Sequence, residues 1–396
     1  MEYKKLGEIA NVTKLAGFEF TKYMEYISDG EIIAIRALNL KSGRLILDDV
    51  KRISSKVSES LPRSQLHKYD IVLSYTGTVG ECAQIQKDNL YHLAPNVAKV
   101  TPDISKVNPT YLFQYIRSHE FKKKMLSYAH GSTQMTIPMK VIRELSIPMF
   151  DMETQNLVAS VLAPLDYKIA LNTRINDNLL QQVQAIYRQM FVETLNERRS
   201  LCRADEYFDI SIGKTPPRKE HQWFSFDSHD ITWVSIADMG NCGLYISSSS
   251  EQLTREAVRN FNIKIVPDNT VLLSFKLTVG RIAITDGEMT TNEAIAHFKT
   301  TRPEINEYLY CYLKSFNYQT MGSTSSIATA VNSKIIKAMP FVVPTSLELE
   351  KFHNIVAPMF NNIKNNQAEN KRLSQIRDAL LPRLMSGELD VSGLEI

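Results

Sequence analysis

No window of this 396-residue chain approaches the ~20 uncharged apolar residues that a membrane-spanning helix needs. The amino-terminal stretch Met1-Glu2-Tyr3-Lys4-Lys5-Leu6-Gly7-Glu8 has no apolar run behind its lysines, so it does not read as a signal peptide. Cysteine is scarce: Cys82, Cys202, Cys242 and Cys311 are scattered, with no Cys-x-x-Cys step and no histidine at ligand spacing. That excludes a disulfide framework and fits reduced thiols in the cytoplasm. The eight histidines form no pair at metal-ligand spacing, so no metal site is expected. There is no GxxxxGK[ST] loop to hold ATP phosphates, no Phe-x-Gly-x-Gly loop to hold S-adenosylmethionine, and no Glu-x-Lys or Asp-x-Lys placed as in a nuclease. The expectation is a chain without catalytic residues and without a cofactor of its own. Net charge is only +3. Residues 1–150 carry 21 Lys/Arg against 15 Asp/Glu, and the remainder 25 against 28. The first part is thus mildly basic, which is compatible with a surface that faces phosphate.

What is present is a repetition. Ser74-Tyr75-Thr76-Gly77-Thr78-Val79-Gly80 returns as Ser274-Phe275-Lys276-Leu277-Thr278-Val279-Gly280. Gly131-Ser132-Thr133 returns as Gly322-Ser323-Thr324, Ile147-Pro148 as Val343-Pro344, and Val161-Leu162-Ala163-Pro164-Leu165 as Ile355-Val356-Ala357-Pro358-Met359. The offsets are 200, 191, 196 and 194 residues, in unchanged order. Solenoid repeats run roughly 20–50 residues, so this period means two domain-sized copies, and a target that itself comes in two halves.

Each copy opens with a mixed segment, residues 1–150 and 201–345. The runs Glu31–Arg36, Tyr69–Ser74, Ile231–Ile236 and Thr270–Phe275 read as strands. Helical stretches begin at Pro109 and Ile305. The fold class expected is α/β (α+β), in two tandem globular domains. Each domain is followed by a helical part, residues 151–200 and 346–396. Leu165, Ile169, Asn172, Asn176, Leu179, Val183, Ile186 and Met190 lie on one heptad seam. Adding 194 gives Met359, Ile363, Asn366, Asn370, Leu373, Arg377, Leu380 and Leu384, with the same two asparagines in place. Paired polar residues within an apolar seam fix register and partner. The two helices are therefore expected to form an antiparallel coiled coil with pseudo-twofold symmetry. Pro164 and Pro358 are expected in the first helical turn. From Pro164 to Leu195 such a helix would span roughly 48 Å, which suits two half-sites one DNA turn, about 34 Å, apart.

Here the chain resembles the specificity (S) subunits of type I restriction–modification enzymes. Val161–Leu179 looks like the family's central helix, and Leu380-Leu381-Pro382-Arg383-Leu384-Met385-Ser386-Gly387-Glu388-Leu389 like its carboxy-terminal finish. The Gly-Ser-Thr and Ile-Pro steps resemble the closing turns of its target recognition domains. The resemblance implies that residues 1–150 and 201–345 each read one half of a bipartite sequence on double-stranded DNA. The helices of 151–200 and 346–396 would set the gap and dock two methyltransferase (M) subunits, with motor–nuclease (R) subunits adding cleavage. S-adenosylmethionine, ATP and Mg would belong to those partners. Arg377 departs from the seam, standing where Val183 stands in the first copy. A specificity subunit of another restriction class is an alternative. A self-contained DNA methyltransferase is another: Asn108-Pro109-Thr110-Tyr111 faintly resembles the base-gripping motif of adenine methyltransferases, although the same residues also make a helix start.

Candidates for DNA contact follow from chemistry and position. In the first copy they are Ser74, Tyr75, Thr76 and Thr78 in a loop after a strand, the basic run Lys122, Lys123 and Lys124, and Gln134 and Lys140. In the second they are Ser274 and Lys276, Ser323 and Thr324, Lys334, and the basic loop of Lys214, Arg218 and Lys219. Residues shared by the copies are expected to be structural, and residues that differ are expected to tell two half-sites apart.

Overall fold

A computed structural model describes residues 2–130, 135–194, 196–321, 332–391 and 393. The chain divides into two compact units, Met1–Ile169 with Arg372–Ile396, and Ala170–Lys371. Both mix helix and sheet in the tandem arrangement that the repetition implies.

In the first unit the strands Ala10–Lys14, Val97–Pro102, Ile71–Ser74 and Cys82–Gln84 form one antiparallel sheet in that order. Every residue of Ile71–Ser74 is buried. The continuous apolar run is explained by cover on both faces. Ile71, Leu73, Ala98 and Val100 pack into a core with the helices Pro109–Ile116 and His119–Ser127, whereas Val72, Ala83 and Val97 pack into a second core. That second core also takes Ile33, Ile35, Tyr91 and Leu93 from another sheet, in which Ile32–Ile35 runs parallel to Tyr91–Leu93.

The second unit repeats this plan. Asp209–Ile212, Val271–Ser274, Ile282–Thr285 and Ile295–Lys299 share a five-stranded sheet with Tyr245–Ile246. Val271, Leu273, Ala296 and Phe298 face one core, and Leu272, Ala283 and Ile295 another. Ile231–Val234 again pairs in parallel with a later strand, Thr290–Thr291. The strand registers match as well: Ser74 pairs with Val97, and Ser274 with Ile295.

The long helices span Met152–Tyr187, followed by the π-helical turn Arg188–Val192, and Ser346–Met385. Pro164 and Pro358 are therefore interior residues, not first-turn residues as the seam suggested. The true starts lie further upstream, where side chains satisfy the free amides. Asp151 Oδ1 accepts from the Thr154 amide at 2.8 Å. Thr345 and Glu348 cap each other reciprocally: the Thr345 amide donates to Glu348 Oε2 at 3.0 Å, and the Glu348 amide to Thr345 Oγ1 at 3.3 Å. Each interior proline removes one helical hydrogen bond, and tertiary packing outweighs that loss: Val158, Ala159 and Leu162 ahead of Pro164, and Phe352, Val356 and Phe360 around Pro358, are core residues.

Candidate nucleic-acid interface

The duplicated loop turns on its serines. Ser74 Oγ donates to the Thr78 carbonyl and accepts from the Glu81 amide at 3.0 Å. Ser274 Oγ donates to the Thr278 carbonyl at 2.6 Å and accepts from the Arg281 amide at 3.0 Å. Both serines are completely buried. Gly80 and Gly280 follow at φ +87° and +89°, a left-handed geometry that suits glycine. Ser74 and Ser274, expected to meet DNA, instead tie a turn shut, because each buried hydroxyl both donates and accepts inside the fold. Tyr75 and Thr76 are buried too. The Ile137 amide donates to the Tyr75 carbonyl and the Gly77 amide to the Met135 carbonyl, both at 2.9 Å, so the segment after Gln134 zips onto this loop. Thr78 and Gly77 are exposed. Lys14, absent from the sequence-derived candidates, stands over the Tyr75 ring at 5.5 Å and is exposed.

In the second unit the loop tip differs. Lys276 and Leu277 are exposed, and Leu277, at 99 % exposure, holds a left-handed φ of +60° where the first copy has Gly77. The Phe275 amide donates to the Ala294 carbonyl at 2.9 Å, and the Lys214 amide to the Thr291 carbonyl at 2.9 Å. These bonds bring three loops together. Thr215 Oγ1 donates to the Glu293 carboxylate. Partial burial alone would raise that carboxyl. The Thr215 hydroxyl, its own amide and the Lys276 and Arg218 cations outweigh the burial and hold it below its ordinary value. Carboxylate, ammonium and apolar tip thus sit close together, and these are the groups that accept from cytosine, donate to guanine and touch thymine methyls. Sequence reasoning missed Glu293 and Thr215 because only the sheet register brings them beside Lys276.

The basic run 122–124 is split by helix geometry, since successive residues point about 100° apart. Lys122 Nζ pairs with Glu81 at 2.5 Å. Lys124 Nζ donates to Glu120 and to Tyr115 Oη, both at 2.7 Å. Only Lys123 is fully exposed. Arg218 is likewise committed, at 4.4 and 4.5 Å from the Phe224 and Trp233 ring centroids and 2.8 Å from Glu251. Lys214 Nζ donates to the Phe261 carbonyl at 2.8 Å from an exposed position. Lys140, Lys219 and Lys334 are exposed. Gln134, Ser323 and Thr324 lie outside the described residues. Asn108 is a helix cap, its Oδ1 accepting from the Thr110 and Tyr111 amides at 2.8 and 3.0 Å. Tyr111 is buried, with its hydroxyl on the Pro148 carbonyl at 2.8 Å. These residues are therefore not arranged to grip a flipped base.

Within the second unit the long helices pair antiparallel. Asn172 Nδ2 donates to Asn370 Oδ1 at 3.0 Å and to Glu369 at 2.6 Å, and Asn366 Nδ2 donates to Asn176 Oδ1 at 2.8 Å. Leu179, Val183 and Ile186 continue the seam into the apolar core of that unit. In the first unit Leu380 packs against the core and Leu373 is half-buried. Among the described residues no cluster of three His, Cys, Asp or Glu is placed to hold a metal, and no helix is long and apolar enough to cross a membrane.

A family model described as the type I restriction modification DNA specificity domain matches this chain twice, over residues 1–181 and 202–377. The chain belongs to that family. Among its relatives is the type I restriction enzyme HindI specificity subunit of Haemophilus influenzae, 22% identical over 466 residues that span 97% of this chain and 98% of that protein. Another is the type I restriction enzyme MjaIX specificity subunit of Methanocaldococcus jannaschii, 24% identical over 312 residues, 72% of this chain and 70% of that protein. The fold is shared with the crystal structure of a type I restriction-modification S subunit from M. genitalium, with a TM-score of 0.52, 15% identity and coverage of 97% of this chain and 95% of that one. In this specificity-domain chain, the two matched segments coincide with the two copies in which the loop chemistry diverges.

Proposed function

We propose that the chain is the DNA-specificity subunit of a type I restriction–modification complex, with each copy reading one half of a bipartite target on double-stranded DNA. The observation that carries this is the doubled specificity domain with one scaffold and two loop tips. The buried serine turn is common to both copies, whereas the exposed tip is Gly77 with Thr78 in one and Lys276 with Leu277 and Thr278 in the other. The long helices would set the unspecified gap and dock two methyltransferase subunits, and motor–nuclease subunits would join that assembly. Methyl transfer and cleavage, with S-adenosylmethionine, ATP and Mg, belong in this reading to the partners, and the chain works in the cytoplasm without catalysis of its own. Supporting this are the missing cofactor loops and the conversion of Asn108 and Tyr111 into a cap and a buried anchor. The test is to replace residues 201–345 by the second domain of another family member and sequence the methylated motif genome-wide. One half of the motif should change. A change in both halves, or in neither, would overturn independent reading.

A further inference from the structure

In the first unit a polar seat holds the two long helices. Gln114 Nε2 and Arg117 Nη1 donate to Asp166 Oδ2 at 2.6 and 2.7 Å, and Arg377 Nη1 donates to Asp166 Oδ1 at 2.9 Å. The Arg117 and Arg377 side chains are only 9% and 12% exposed. Arg377 also pairs with its neighbour Asp378 at 2.8 Å. Burial alone would raise the Asp166 carboxyl, but the two guanidiniums and Gln114 hold it below its ordinary value.

In the second unit the corresponding seat is apolar at its buried positions, with an exposed lysine at its edge. Tyr111 and Tyr308 hold equivalent places, with their hydroxyls on the Pro148 and Val342 carbonyls at 2.8 and 2.7 Å. Counting from them, Gln114 and Arg117 correspond to Cys311 and Lys314. The helix offset makes Phe360 the counterpart of Asp166, and Val183 that of Arg377. Val183, Cys311 and Phe360 are buried in one apolar cluster, with Phe360 edge-on to Tyr310 at 5.8 Å.

The asparagine pairs cannot tell the halves apart, because the helix offset converts the Asn172–Asn370 pair into the Asn366–Asn176 pair. Held by asparagines alone, residues 151–200 of one copy of the chain would accept the same segment of a second copy. We propose that the polar and apolar seats prevent this, so that each half of the chain accepts only the complementary half and rejects the identical half of another copy. Two amino-terminal halves would set Val183 opposite Asp166 in place of Arg377. Two carboxy-terminal halves would set the Arg377 guanidinium against Phe360. In the first case Asp166 keeps Arg117 and Gln114 but loses its second guanidinium, and in the second Arg377 keeps only its neighbour Asp378 beside an aromatic ring. A largely buried charge that loses part of its pairing is disfavoured, and each mispairing incurs that cost twice, once at each seat. The correct pairing incurs none. Such a device matters to a duplicated chain because its two copies compete for the same partner surface.

The test equalises the seats in the full-length chain. One variant, Gln114→Cys with Arg117→Lys, Asp166→Phe and Arg377→Val, makes both seats apolar. The reciprocal one, Cys311→Gln with Lys314→Arg, Phe360→Asp and Val183→Arg, makes both polar. Each is refolded from denaturant beside the unaltered chain at matched concentrations, and native mass spectrometry reads the species. The unaltered chain should return as a single-chain species. Both equalised chains should show on the order of tenfold more dimer, the change that the loss of roughly 1.4 kcal/mol of preference produces. Heterotypic domain swapping does not account for such an excess, because it is equally open to all three chains. An equal dimer fraction in folded chains would overturn the proposal. So would failure of both variants to fold, because either chemistry is held to fit either seat when its counterparts move together.

Discussion

Replacing Glu348 by glutamine tests a densely bonded carboxylate in the second unit. Arg199 Nε and Nη2 donate to Glu348 Oε1 at 3.0 and 2.7 Å, and Asn196 Nδ2 joins at 2.8 Å. The other oxygen, Oε2, accepts from the Thr345 amide and hydroxyl at 3.0 and 2.9 Å. Arg199 in turn donates to the Met190, Phe191 and Thr194 carbonyls at 2.6, 2.8 and 3.0 Å. One carboxylate thus opens the second long helix and, through Arg199, closes the end of the first. Burial would raise the Glu348 carboxyl, but these donors bring it from 4.5 down to about 2. A shift of that size corresponds to roughly 3 kcal/mol of stability. Because the folded value is the lower one, the contribution is complete above the unfolded value near 4.5 and is lost as the pH falls towards 2. Urea unfolding of the chain and of Glu348→Gln, followed by circular dichroism from pH 7 downward, reads the difference. The variant should be less stable by roughly 3 kcal/mol at pH 7, and the gap should narrow by about 1.4 kcal/mol by roughly pH 3.5. A gap that stays constant with pH would refute the reasoning, since neutral glutamine would then replace the carboxylate without any titration being felt.

His297 also makes stability fall with pH, here through a base that the fold keeps neutral. It is completely buried between Ser211 Oγ on Nδ1 at 3.0 Å and Thr291 Oγ1 on Nε2 at 2.7 Å, and burial lowers it from 6.5 to about 3. A base held neutral by the fold costs nothing above its unfolded value. Below it, the unfolded chain gains protons first, so stability should fall by about 1.4 kcal/mol per pH unit from 6.5 towards 3. His297→Gln should flatten the stability profile between pH 6.5 and 4.5, and an unchanged slope there would count against the assignment. At the candidate interface, Lys276→Thr with Leu277→Gly gives the second loop tip the chemistry of Thr76 and Gly77. Methylome sequencing should then show altered or lost bases in only one half of the motif. Weakening by about 1–3 kcal/mol for oligonucleotides carrying that half is the expected scale for one lost base contact. Equal loss for both halves would point to damage to the fold.

The duplication was legible because it is a pattern in the chain itself, and so were the sheet strands, whose all-apolar runs announce burial on two faces. The asparagine pairs were legible too, since a polar residue on an apolar seam implies a partner of its own kind. The helix starts were misread for a local reason. Proline at the head of a seam is a strong start signal, whereas the capping box Thr345-Ser346-Leu347-Glu348 is a weaker one, and packing against the core overrules the proline. Among the DNA candidates, residue type alone does not give the direction in which a side chain faces. Lys122 and Lys124 face their own carboxylates, and Ser74 and Ser274 face inward. No sequence signal marks Glu293 as a neighbour of Lys276, because a strand register sets that proximity.

The two kinds of divergence between the copies separate two selective demands on one scaffold. At the exposed tip, Gly77 against Leu277 and Thr76 against Lys276 change what the surface can bond without changing the serine turn beneath. At the helix seats, Asp166 against Phe360 and Arg377 against Val183 exchange a largely buried polar network for fully buried apolar side chains. Variation confined to the tips would suffice if the copies only had to read different bases. A buried exchange of an ion pair for an apolar pair, made jointly on both helices, needs a cause inside the protein. Drift is a poor one, because each intermediate with a single exchanged residue weakens the ion-pair network around Asp166 or mismatches the packed core around Phe360. The joint exchange therefore argues that telling the halves apart is a requirement on this chain, separate from the sequence that it reads.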